Sequence, residues 1–196
     1  MPESSDKLID HVKEDPEVAE LVARLEKEAD WEIASGTVPG ALYDLSPEAL
    51  TIRAAGPADL DTLLTLVDAL ADYEHLARPD GAARERFRKH FEAGTYFEGL
   101  LAEAGGQPVG YALYFFTYSS FLARPTLYLE DIFVLPEHRR HGAGTALMER
   151  LLEIAREQEC GRIEWQVLDW NETAIGFYHR LGAIHMKEWL PYRISL

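Results

Sequence analysis

The chain has 196 residues and a formal net charge of −15, from 34 acidic and 19 basic residues. A field of this sign repels nucleic acid and anionic membrane surfaces, and it attracts small cations. The composition, 47% hydrophobic and 27% charged, is typical of a globular protein with a sizeable core. No apolar run approaches the roughly 20 residues of a membrane span, and the single cysteine excludes an intrachain disulfide. These features predict a cytoplasmic protein.

The first fifty residues are more acidic than the rest. They hold 13 acidic and 4 basic residues, a net charge of −9. Apolar residues between Val18 and Ala29 follow helical spacing, and Pro16 suits a first turn that Asp15 could cap. Turn-forming residues follow Trp31. We therefore predict an acidic, partly helical extension over residues 1–50 and a separate domain over residues 51–196.

From residue 51 onward the pattern alternates between strands and helices. A short strand at 51–55 precedes a helix that begins at Pro57 and ends near Arg78, before Pro79, and a second helix covers about 82–92. The later predicted elements are strands at 96–104, 108–118 and 126–136, a helix at 145–160, a strand at 162–168, a helix at 171–182 and a final strand near 186–194. This order predicts an α/β domain.

The loop between the strand at 126–136 and the helix at 145–160 contains PEHRRHGAG, which could serve nucleic acid, a metal or a phosphate. The acidic background disfavours nucleic acid, and His138 and His141 have no further metal ligands grouped nearby. Backbone N–H groups at a helix start carry partial positive charge, and glycines let an anion approach closely. The spacing R-x-x-G-x-G matches neither the P-loop nor the Rossmann fingerprint.

The succession of strand, R-x-x-G-x-G, amphipathic helix, strand and Asn-led helix resembles the GNAT acyl-CoA-dependent N-acetyltransferases. The stretches LADYEHL (70–76), YALYFFTYSSFLARPTLYLEDIFVLPEHRRHGAG (111–144) and VLDWNETAIGFYHRLGA (167–183) resemble the diamine branch, of the spermidine/spermine or thialysine type. The resemblance covers residues 51–196. It implies the GNAT acyl-CoA N-acyltransferase fold, with a mixed, mostly antiparallel central sheet flanked by helices.

The same resemblance implies acetyl-CoA as cosubstrate and no metal. Backbone groups of one strand would face the pantetheine arm, and the glycine loop would hold the pyrophosphate. The residues implied to bind the cofactor are Ile132, Phe133, Val134, Arg139, Arg140, His141, Gly142, Ala143, Gly144, Thr145, Asn171 and Ala174.

The resemblance also assigns catalytic and substrate-binding residues. Tyr178 would be the general acid for the leaving thiolate, and Glu130 would contact the amine and act as its base, directly or through water. The resemblance also implies that Tyr73, Glu74 and Glu130 bind the substrate. Glu164 and Gln166 alternate on the next predicted strand and are expected to line the same cleft. From the residues alone, strand alternation sends Glu130 and Asp131 to opposite faces. Two carboxylates in an apolar strand indicate function or an internal hydrogen-bond network, because burial of an unpaired carboxylate is costly.

Together these features predict an N-acetyltransferase that moves the acetyl group of acetyl-CoA directly to a primary amine of a small cationic substrate. Candidate substrates are a polyamine, a diamine or a thialysine-like amino acid. SSF at 119–121 stands where the spermidine enzymes have a DPW-type segment, so the resemblance does not single out spermidine. The alternatives are an acetyl-CoA-binding regulatory module and a peptide or protein N-acetyltransferase. The resemblance further implies a homodimer, and no nucleic-acid or membrane partner is expected.

Overall fold

A computed structural model of the protein describes residues 50–195. These residues divide into two compact units, residues 50–166 and residues 167–195, and each is described by itself. The helix predicted between Val18 and Ala29, and the turn-rich stretch after it, lie outside the described residues.

The first unit combines five strands with three α-helices. Its strands are β1 (Leu50–Ala54), β2 (Glu98–Ala104), β3 (Gln107–Ser119), β4 (Arg124–Val134) and β5 (Arg162–Glu164). Its helices are α1 (Leu60–Tyr73), α2 (Gly81–Ala93) and α3 (Ala143–Glu157), with short 3-10 turns before α1 and before α3. The second unit contains α4 (Glu172–Arg180).

The five strands form one sheet in the order β1-β2-β3-β4-β5. The first three pairings are antiparallel, and β4 pairs with β5 in parallel. The predicted mixed, mostly antiparallel sheet with flanking helices is therefore confirmed. The parallel pairing joins only 126–128 to 162–164. Beyond Tyr128, the outer edge of β4 has no paired strand among residues 50–195.

An apolar core joins α1 and α2 to the sheet. Four of the five leucines of α1 are buried, and Leu63 has no exposed surface. Truncation of such a side chain to alanine typically costs about 2–5 kcal/mol of stability. The buried cluster consists of Leu60, Leu63, Leu66, Phe91, Leu101, Tyr111, Leu113 and Phe133. This core fixes the C-terminal end of α1 against the middle of the sheet, because Tyr73 packs on the same cluster.

The largest differences from the sequence prediction are the ends of one helix and one strand and the absence of one further strand. The first helix ends at Tyr73 rather than near Arg78, and His75 just beyond it has a left-handed φ of 59°. The strand predicted at 162–168 ends at Glu164. The strand predicted near 186–194 is wrong, since none of these residues is in a strand. Within residues 50–195, no helix is long and apolar enough to cross a bilayer.

Candidate active site

A β-bulge lies at the two adjacent carboxylates of β4. Leu113 of β3 faces Asp131 and the next residue, Tyr114, faces Leu129, so Glu130 is the extra residue of β4. Glu130 is exposed and Asp131 is partly buried. The simple alternation assumed for this pair therefore does not apply, because the register shifts at this point.

Asp131 is held by a buried tyrosine. The Tyr111 hydroxyl donates a hydrogen bond of 3.3 Å to Oδ2 of Asp131, and Tyr111 has no exposed surface. Burial, followed by repulsion from Glu130 and Glu74, raises the pKa of Asp131 to about 6, although the tyrosine hydrogen bond opposes this shift. Burial and the same carboxylate raise the pKa of Tyr111 well above its ordinary value. Tyr111 could not be singled out from its residue type, because a tyrosine in an apolar strand is typical of plain core.

The end of α1 adds a third carboxylate. Glu74 directly follows the last residue of α1, and its desolvation raises its pKa. Its charge acts on both Asp131 and Tyr111, so it lies in the same electrostatic environment. Glu74, Glu130 and Asp131 are called the carboxylate cluster below. Among the described residues, no group of His, Cys, Asp or Glu has the arrangement of a metal site.

Glu164 lies on the other side of β4. It is the cross-strand partner of Tyr128. Burial raises the pKa of Tyr128, and the negative charges of Glu130 and Glu164 raise it further. Its Oε1 is 2.9 Å from Nε of Arg162, so a neighbouring cation offsets much of its charge. Gln166 is exposed at the end of the first unit. Of these two residues predicted to bind substrate, Glu164 is linked to Glu130 through Tyr128.

The start of α3 has the features of an anion site. Gly142 precedes the helix with a left-handed φ of 88°, and no side chain caps the helix. The first bond from the helix runs from the Ala146 amide to the Gly142 carbonyl, at 2.9 Å. The amides of Ala143, Gly144 and Thr145 precede that bond and have no acceptor within the helix. Such uncapped N–H groups at the positive end of a 15-residue helix suit a phosphate group.

The basic residues before α3 behave differently from one another. Arg140 is exposed and has a left-handed φ of 66°, and His141 is also exposed. Arg139, by contrast, donates from Nε to the Val134 carbonyl at 2.9 Å. Its guanidinium carbon lies 4.4 Å from the ring centroid of Tyr73. The two arginines predicted to hold the cofactor therefore have different surroundings.

The last residues of β4 offer backbone groups on one side. Ile132, Phe133 and Val134 pair with β3 on the inner side, and the outer edge has no paired strand among the described residues. A Cβ at Gly110 of β3 would lie 2.6 Å from the Phe133 carbonyl oxygen. The two strands approach so closely here that only glycine fits at position 110. This close packing against β3 fixes the position of β4 on its inner side.

The second unit contains three of the predicted residues. The Asn171 side chain accepts a hydrogen bond of 3.2 Å from the Ala174 amide, so its predicted role as the helix cap is confirmed. Tyr178 is buried near the end of α4, and its ring lies 5.5 Å from that of Phe177.

Comparison with known proteins identifies the class of this fold and site. The model of the acetyltransferase (GNAT) family matches residues 63–183. The chain therefore belongs to the GNAT family, and it is an acyltransferase.

Named relatives narrow the comparison. The thialysine N-epsilon-acetyltransferase of Sus scrofa is 36% identical over 156 residues, which cover 74% of this chain and 91% of that protein. The L-ornithine N5-acetyltransferase of Arabidopsis thaliana is 43% identical over 86 residues, covering 44% and 38%. Among solved structures, a possible acetyltransferase from Clostridium difficile 630 has a TM-score of 0.67 at 19% identity, covering 76% of this chain and 98% of that one. That last likeness concerns the fold alone.

Proposed function

We propose that this protein transfers the acetyl group of acetyl-CoA directly to a primary amine of a small cationic substrate. The substrate is a thialysine-like amino acid, a diamine or a polyamine. The observation that carries this proposal is the carboxylate cluster, in which the charges of Glu130 at the bulge of β4 and of Glu74 at the end of α1 both act on Asp131. The similarity to thialysine N-epsilon-acetyltransferase of Sus scrofa over 74% of this chain supports the same substrate class.

The cofactor end of the proposed site is built from backbone. The amides of Ala143, Gly144 and Thr145 would hold the pyrophosphate beside Gly142, and the outer edge of β4 at 132–134 would hold the pantetheine arm. Arg140 and His141 would add positive charge at the loop surface, and Asn171 and Ala174 are assigned to the same arm. Acetyl-CoA supplies the activated acyl group as a thioester.

The amine end is built from side chains. A protonated amine cannot attack a thioester, so the ammonium must lose a proton at the site. Glu130 accepts that proton directly or through water, while Glu74 and Tyr73 hold the cation and Glu164 and Gln166 line the same region. Asp131 is ionised above about pH 6, which adds a third negative charge to the cluster in neutral solution.

Tyr178 completes the proposed chemistry as the general acid. The thiolate that leaves when the amine attacks needs a proton or a hydrogen bond, and a phenol can provide either. The assignment rests on the FYHRLGA motif that surrounds this tyrosine.

The test is thiol release from acetyl-CoA across a panel of thialysine, lysine, ornithine, putrescine, spermidine and small neutral amines. We expect turnover with the cationic members and little with the neutral ones. Absence of turnover with every cationic amine would contradict the proposed substrate class. Turnover on basic peptides alone would identify a peptide acetyltransferase, and CoA binding without turnover on any acceptor would identify a regulatory module.

A homodimer and a cytoplasmic location are part of the same proposal. Sedimentation velocity of the purified full-length chain measures the first, and a mass of one chain at micromolar concentration would contradict it. Fractionation of the source cells measures the second.

A further inference from the structure

Arg139 opens the R-x-x-G-x-G motif, yet its side chain lies on the end of α1. The guanidinium carbon is 4.4 Å from the ring centroid of Tyr73 and 5.5 Å from that of Phe133. Its Nε donates to the Val134 carbonyl at 2.9 Å. A guanidinium that lies over two aromatic rings and donates its Nε–H to the backbone has a fixed position.

The residues under this guanidinium belong to the amine end. Tyr73 is the last residue of α1 and directly precedes Glu74 of the carboxylate cluster. The Tyr73 ring also contacts that of Phe133, with centroids 6.2 Å apart. Arg139 therefore clamps the last turn of α1 onto the end of β4.

We propose that Arg139 is a positioning residue for amine binding rather than a ligand of the cofactor's phosphates. It holds Tyr73, and through Tyr73 the backbone that carries Glu74, at a fixed distance from Glu130 and Asp131. The proposal rests on the proposed function, because it assigns Tyr73 and Glu74 to the amine.

The chemistry of the contact explains why arginine is required. A planar guanidinium can stack on a ring and donate from Nε at the same time, whereas an ammonium at the end of a lysine is a point charge without that geometry. Arg139→Lys therefore keeps the positive charge in the loop and removes the clamp.

The experiment compares Arg139→Lys with Arg140→Gln in the full-length protein. We expect Arg139→Lys to raise the amine KM about tenfold, the effect of losing one such contact, with the Kd of CoA within about twofold of the wild-type value. Arg140→Gln removes an exposed charge of the same loop. It should raise the Kd of CoA and leave the amine KM unchanged. Calorimetric titration of CoA needs no turnover and so gives a result for every folded variant.

A double-mutant cycle with Tyr73→Leu separates positioning from a general loss of structure. In the Tyr73→Leu background, Arg139→Lys should add less than about twofold to the amine KM, because the partner of the clamp is already gone. If Tyr73→Leu turns over too slowly, the Kd of the amine for the CoA-bound protein replaces KM.

Three results would overturn the proposal. They are a raised Kd of CoA with an unchanged amine KM in Arg139→Lys, no change in either quantity, and full additivity with Tyr73→Leu. Failure of the proposed function is a separate outcome, since it is seen as absence of wild-type turnover with every cationic amine.

Discussion

The carboxylate cluster and the start of α3 offer different kinds of binding group. Glu74, Glu130 and Asp131 offer carboxylate side chains from the end of α1 and from β4, while the start of α3 offers backbone amides that no side chain caps. A side-chain site changes with each substitution. A backbone site changes only when the chain conformation changes. The difference indicates that substrate choice can vary readily within this fold while the anion site stays constant.

The largest predicted effect concerns Tyr178, the proposed general acid, which belongs neither to the carboxylate cluster nor to the start of α3. Tyr178→Phe should lower kcat by about 100-fold, within the usual range for removal of a general acid, because the leaving thiolate loses its proton donor. The Kd of CoA and the amine KM should change little. The measurement is steady-state kinetics with thiol detection, and an unchanged kcat would remove Tyr178 from the mechanism.

The next effect concerns the electrostatic cost of the carboxylate cluster. The pKa of Asp131 is raised to about 6 in the folded protein. Between about pH 4 and 6 the folded state thus binds more protons than the unfolded chain, and its stability falls as pH rises through that window. Asp131→Asn removes the penalty and keeps an oxygen that can accept from Tyr111. At pH 8 the variant should be more stable than the wild type by up to about 3 kcal/mol, from a shift of about two pKa units.

Urea unfolding of Asp131→Asn and the wild type at pH 8 and pH 4 measures this difference. The gap should be small at pH 4, because Asp131 is protonated in the folded protein and about half protonated in the unfolded chain. An equal gap at the two pH values would show that the substitution acts through packing and not through ionisation.

The proposed anion site at the start of α3 is tested by a substitution that disfavours the backbone conformation of Gly142. Gly142→Ala leaves space around the new methyl, since its nearest contact is Leu50 Cδ2 at 4.0 Å. The φ of 88° is nevertheless unfavourable for a residue with a Cβ, by roughly 1–2 kcal/mol. We expect the Kd of CoA to rise about tenfold and the amine KM to stay constant. Gly142→Asn is the matched control, because asparagine tolerates this region better and should restore part of the affinity.

The smallest predicted effect comes from one charge of the carboxylate cluster. Glu74→Gln should raise the KM of a dicationic amine about fivefold, since one attraction is lost while the side chain keeps its size. The Kd of CoA should not change. Glu149→Gln, at an exposed position on α3, removes the same charge elsewhere and should leave both constants unaltered. Equal effects of the two substitutions would mean that only net charge matters.

The sequence predicted the fold well where the hydrophobic periodicity agrees with the turn and cap residues that bound an element. The hairpin at Gly105-Gly106 and the helix after Gly142 follow from turn and cap signals that lie within the element itself. The end of α1 could not be predicted, because a non-glycine residue, His75, adopts the left-handed conformation just beyond it. The strand near 186–194 failed for another reason. Alternating apolar residues such as Leu190, Tyr192 and Ile194 look like a strand, but pairing depends on a partner that local pattern does not specify.

The candidate site shows the same division. The family motifs singled out Glu74 and Glu130, and the structure joins them electrostatically through Asp131. Tyr111 and the contact of Arg139 with Tyr73 were missed, because both depend on residues brought together from distant parts of the chain. The bulge at Glu130 was also invisible, since a one-residue register shift leaves no signal in residue type.

Gly110 sets a limit on how this enzyme can be redesigned. Any side chain there would press on the Phe133 carbonyl oxygen from 2.6 Å and on the Val134 side chain from 3.1 Å. Such a side chain would displace the part of β4 that is assigned to the acyl donor and that lies just after the bulge. A library that aims at new amines can therefore vary Glu74, while Glu130 keeps its proposed role as the base and position 110 stays glycine in every member.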